Sequence, residues 1–235
     1  LAGTESFPWE CMNILADCLE TIGVQDAWDE DGPLLSLVLY IGARYKCYKN
    51  DGWHGFHLGT GRNFVGNVLV IMLAFFDAPS VEKKLRLLSE AINSYLAQRA
   101  DAGHHELLSF ACLTSGNLDW AKFNDWPPGK CPTAEDNRFL LQFVIHWLTS
   151  NRDIWQHHVE LGPILEDALL GARFINYAFS ELYGHGFFIP SAAVVPIANA
   201  GFCYLQVWQR LASKCLDLGL ARFMQPPKIH MQFHM

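Results

Sequence analysis

Apolar residues recur at helical spacing along most of this chain, while β-branched alternation with a period of two is nearly absent. Residues 81–99 are the cleanest case. Apolar side chains at 81, 85, 88, 92, 95 and 96 form one stripe, and Lys, Arg, Glu and Asn occupy the other face. Ser80 stands ready as the N-cap, with Glu82 in the first turn. Further helical stretches are predicted at 7–22, 34–48, 64–76, 104–114, 134–149, 153–160, 163–183 and 191–220. Residues 37–41 within the second of these also fit a strand.

Breakers separate these stretches. Residues 116–133 form the main break, because Gly116, Pro127-Pro128-Gly129 and Pro132 forbid long regular structure. Trp120, Phe123 and Trp126 lie within it, which reads as a packed loop and a contact-making one. Thr133 and Asp136 then spell a capping box, and Pro163 suits the first turn of a long helix. The expected fold is all-α: an irregular orthogonal bundle of about eight or nine helices. A single domain over 1–235 is expected, with possible sub-units 1–115 and 133–235.

Composition narrows the function classes. Apolar residues make up 51% and charged residues only 17%, well under the usual quarter. A surface with so few charges protects poorly against association. The net charge of −7 and the scattered Lys and Arg argue against nucleic acid binding by this stretch of chain. Seven cysteines without a C-x-x-C pair read as reduced thiols of a reducing intracellular compartment. The chain begins with Leu1 and shows no signal peptide, so a processed, trimmed or partial product is expected. The uncharged run 182–209 is long enough to span a bilayer. Its Pro190, Pro196, Asn199 and Gln206 favour a buried helix of a soluble domain, starting near Pro190.

Chemistry-bearing residues cluster in few places. Residues 51–63 hold Asp51, His54, His57 and four glycines; the acid and two imidazoles suit a divalent metal, and equally a polar loop. His230 and His234 share an i, i+4 spacing, a common pattern of metal ligands, with no acid nearby. His157, His158, Glu160, Glu181 and His185 form a third group, but no Glu-x-x-His string supports a di-iron bundle. The pair His104-His105 reads as a cap for the helix after it. Gly59-Thr60-Gly61 before a helix is a weak anion-binding signal. No nucleophile elbow and no phosphate loop is present.

Two of these strings share an order with a known family. Asp51-Gly52-Trp53-His54, then Phe56-His57-Leu58-Gly59 and an apolar helix, matches an acid-x-x-His string. Pro227-Lys228-Ile229-His230 with His234 matches a Pro-Lys-x-His-x-x-x-His string after a long helix. Over about 35–235 the chain thereby resembles the helical insertion region of CACTA- and hAT-type transposases, and related transposon-derived protist reading frames. The resemblance implies a ribonuclease-H-like parent in which Asp51 lies at or near a catalytic aspartate, oriented by His54. The other catalytic carboxylates would fall outside 1–235, and two-metal chemistry needs several converging carboxylates. The expected role is a non-enzymatic helical interaction or scaffold subunit of a larger assembly, with other protein subunits or itself as partners and no cofactor. A transposase fragment and a His-site protein binding a divalent metal are the alternatives.

Overall fold

The computed structural model describes residues 59–104, 106–120, 133–185 and 189–224. All of them belong to the unit that runs from Asp51 to Met235. The described residues are 76% helical and contain no strand. They form α1 (Gly61–Met72), a 3-10 turn (Leu73–Phe75), α2 (Val81–Asp101), α3 (Ser115–Leu118), α4 (Ala134–Ser150), α5 (Arg152–Trp155), α6 (Gly162–His185) and α7 (Ser191–Asp217). The predicted helices at 7–22 and 34–48 and the strand alternative at 37–41 lie outside the described residues.

α1 occupies the centre because most of its surface is apolar, and the hydrogen bonds of its buried Asn67, to Asn63 O and from Phe223 N, let that polar side chain be buried too. Eleven of its twelve residues are buried. α4 packs on it, α6 packs on α4, and α6 and α7 form the most extensive helix pair. A single core runs from Phe64 through Leu88, Leu118, Leu140 and Leu165 to Trp208 and Phe223. It therefore joins residues on both sides of 116–133.

The caps follow the sequence. Ser80 Oγ accepts from Lys83 N. Thr133 and Asp136 cap each other reciprocally. The predicted helix at 104–114 does not form. Gly103 takes a left-handed φ of +89° and ends the turn after α2. The backbone donors beyond it then find distant partners: Ser109 N donates to Asp136 Oδ1 at 2.7 Å, and Leu113 N to Ser89 Oγ at 2.8 Å. A helical ladder would have required those same groups. Glu106 pairs with Arg99 at the end of α2. The helix expected at 153–160 shortens to Arg152–Trp155, and Trp155 fills the core with its Nε1 donating to Leu148 O.

α6 and α7 run antiparallel, as their side-chain partners show at one-turn steps. Lys214 Nζ donates to Pro163 O at 3.0 Å, Arg210 pairs with Asp167 at 3.0 Å, and Gly171 faces Val207. A Cβ on Gly171 would lie 2.9 Å from Val207 Cγ1 and 3.3 Å from the Phe64 ring, so the two helices approach closely where this residue has no side chain.

Asp167 receives both Arg210 and Lys214, the latter at 2.8 Å. Burial acts to raise its pKa, but hydrogen bonds from Arg210 and Lys214 outweigh that and hold the carboxyl below its usual range. A folded pKa below the unfolded value of about 3.9 contributes stability that is present above that pH. This contribution disappears as pH falls through the folded pKa. Asp167→Asn should therefore cost about 1 kcal/mol near pH 7, a modest figure because both cations are more than a third exposed. Urea melts at pH 7 and pH 3 check this, and the gap between wild type and variant should narrow at the lower pH.

Candidate functional site

The predicted metal residues Asp51, His54, His57, His230 and His234 lie outside the described residues, as do Phe123 and Trp126. Among the described residues no group of three His, Cys, Asp or Glu side chains converges on a metal position. The third histidine group does not come together as a site. His158 Nδ1 accepts from Leu161 N at 3.2 Å and its ring meets Phe75 edge-on. His157 lies against the Gln156 amide, and His185 pairs with Glu181 one turn earlier.

The start of α1 is not an open anion cradle. Thr60 and Gly61 are buried, and Thr60 makes no side-chain cap. Thr60 is instead a hydrogen-bonding neighbour of the buried Tyr204 hydroxyl; burial pushes that phenol well above its ordinary pKa. Trp120 is only 4% exposed, with the guanidinium of the buried Arg222 over its ring. Of the described thiols, Cys112 is exposed, Cys203 half-buried and Cys215 buried. Burial pushes Cys215 up to about 12 against the pull of Arg222 and Lys214, which leaves it an unreactive thiol.

Two surface features remain, and both lie toward the C-terminal end of α6. One is a cleft of about 230 Å³ between α4 and α6. Leu141, Phe179 and Tyr183 line it together with the polar Arg138, Gln142, Asn176 and Ser180. Arg138 is already committed: its Nε and Nη2 donate to Glu135, and its guanidinium sits over the Phe139 ring. Gln142 Oε1 is shielded from solvent and accepts no hydrogen bond. The volume is below the range usual for small-molecule sites and suits one or two protein side chains.

The other feature is the free end of the α6–α7 hairpin. Phe179 is the last buried residue of α6 and Ala200 the first of α7. Residues 191–199 therefore form an arm with no buried member. It carries no charge, and its Val194 and Val195 are 48% and 63% exposed. The sequence shows the uncharged run and the start of its helix, but the expectation of a buried helix holds only from Ala200 onward. The first turns of α7 lie beyond the part of α6 that reaches the core. The cleft left no mark in the sequence, because it depends on how α4 and α6 pack.

No helix among the described residues is long and apolar enough to cross a membrane. No protein-family model, no curated protein and no solved structure matches this chain.

Proposed function

We propose that this chain is a non-enzymatic helical interaction or scaffold subunit of a larger assembly, of transposase descent. The fold behind this reading is an orthogonal bundle of eight or nine helices. The observation that carries it is the uncharged, exposed arm at 191–199 on a chain with few charges. Exposed apolar surface of this kind marks contact sites in soluble proteins. Other protein subunits, or a second copy, are the partners, with Phe123 and Trp126 as an additional contact. Light scattering of the purified chain, with a hydrophobic dye added, tests the reading. A stable oligomer, or a monomer that binds the dye, supports it. A soluble monomer that binds no dye contradicts it.

The acid-x-x-His and Pro-Lys-x-His strings keep a transposase fragment as the second reading, and the His-site metal protein follows from the same residues. With Asp51 as its sole member of the carboxylate set, the chain should not nick or join DNA in Mg²⁺ or Mn²⁺. Cleavage that is lost in Asp51→Asn would establish the second reading instead. Bound metal in elemental analysis, lost on replacing His54 and His57 or His230 and His234, would establish the third.

A further inference from the structure

We propose that residues 106–114 form a strap that opens as one unit while the helical bundle around it stays folded. The strap is separate from the arm at 191–199, and its opening does not depend on the association reading above.

The strap lies along α2. Leu108, Phe110 and Leu113 line a seam with Ser89 and Ile92 of that helix. Between Leu107 and Leu113 no backbone–backbone hydrogen bond forms among the described residues. Three side chains outside the strap hold it instead. Arg99 Nη2 donates to Glu106 at 2.7 Å, Asp136 accepts from Ser109 N and Oγ, and Ser89 Oγ accepts from Leu113 N. Burial adds little: of residues 106–114 only Leu113 is buried, and Leu107 is 86% exposed.

Each anchor has a second partner that stays behind. Arg99 keeps its guanidinium over the Tyr95 ring, 5.8 Å from the centroid. Asp136 keeps the two bonds from Thr133 that cap α4. Ser89 Oγ keeps donating to Leu85 O at 2.8 Å. Opening therefore strands no buried polar group of the bundle, and such stranding is what makes most partial unfolding expensive. The ends are bounded as well. Gly103, at a φ of +89° with open space where a Cβ would stand, closes the turn after α2 through its N–H to Ala100 O. Thr114 and Asn117 cap α3 reciprocally. Both local structures stand without the strap, so the opening unit is the segment between them. The open state bares Ile92 and Leu113, which the closed strap keeps at 2% and 1% exposure.

Native-state hydrogen exchange on the full chain tests the proposal. The Ser109 and Leu113 amides are the probes, because each donates to an anchor. In the wild type the two should exchange through one opening, with equal opening constants. These should exceed those of the α1 core amides at least about a hundredfold and depend only weakly on denaturant. Glu106→Gln weakens the pair with Arg99 and removes neither probe's hydrogen bond. It should speed exchange at both probes about fivefold and leave the α1 amides and the Asp136 amide of the α4 cap unchanged. Ser89→Ala should likewise speed exchange at Ser109, whose own partner it leaves in place. Unequal opening constants in the wild type, a Glu106→Gln effect confined to one probe, or a Ser109 rate unmoved by Ser89→Ala would mean independent fraying and overturn the proposal. Exchange of both probes with the denaturant dependence of α1 would overturn it too, since strap and bundle would then unfold together.

Discussion

Replacing Trp208 by alanine should lower the free energy of unfolding by about 4 kcal/mol, a large share of what a domain of this size commands. Trp208 lies at the centre of an aromatic knot in which Phe64, Tyr204, Trp208 and Phe223 are each at most 1% exposed. Their ring centroids lie between 5.4 and 6.0 Å apart, within the range of favourable tilted and edge-on pairs. The indole also holds the chain after α7 in place, because Trp208 Nε1 donates to Phe223 O at 2.9 Å. Phe223 N in turn donates to Asn67 Oδ1 at 3.0 Å, while Asn67 Nδ2 donates to Asn63 O. This double latch holds Phe223 at a φ of +50°, which a non-glycine residue adopts only at a cost. Trp208→Phe keeps most of the ring but strands the Phe223 carbonyl, so about 2 kcal/mol should be lost. Urea denaturation of both variants measures this, and a loss under about 1 kcal/mol for Trp208→Ala would remove the knot from the core account.

Asp136→Ala should cost about 3 kcal/mol. Its carboxylate is buried and accepts four hydrogen bonds, from Ser109 N, Ser109 Oγ, Thr133 N and Thr133 Oγ1, at 2.6–3.1 Å. The residue thus completes the cap of α4 and pins the 106–114 segment to it. Thr133→Ala removes only the cap side and should cost about 1 kcal/mol. Hydrogen exchange should locate the difference: Asp136→Ala releases the Ser109 amide, whereas Thr133→Ala leaves it protected. Equal exchange at Ser109 in the two variants would contradict the shared-carboxylate account.

These two sites mark where the sequence was legible. The capping box was readable because Thr133 and Asp136 are three residues apart and the motif is local. Ser80 and Pro163 were readable for the same reason, as was the general helical period. Asp136 as the partner of Ser109 was not, since that bond spans 27 residues and no local pattern announces it. The density of apolar residues at 107, 108, 110, 111 and 113 favoured a helix, and long-range hydrogen bonds overrode it. The aromatic knot was hidden in the same way: Asn67 and Phe223 are 156 residues apart. Composition revealed many aromatics without revealing which would meet. For the site, the uncharged run before Arg210 was visible, but its exposure depends on where the paired α6 leaves the core. Trp120 shows the converse, a loop aromatic expected at a contact that lies under Arg222.

The central claim is that this chain works through association at the free end of α6 and α7. Hydrogen exchange of the wild type at two concentrations, one well above and one well below the association midpoint, tests it most directly. Protection of the amides at 191–199 should rise with concentration, while that of the core amides of α1 stays constant. Protection at 191–199 that is the same at both concentrations, in a chain that also binds no hydrophobic dye, would contradict it.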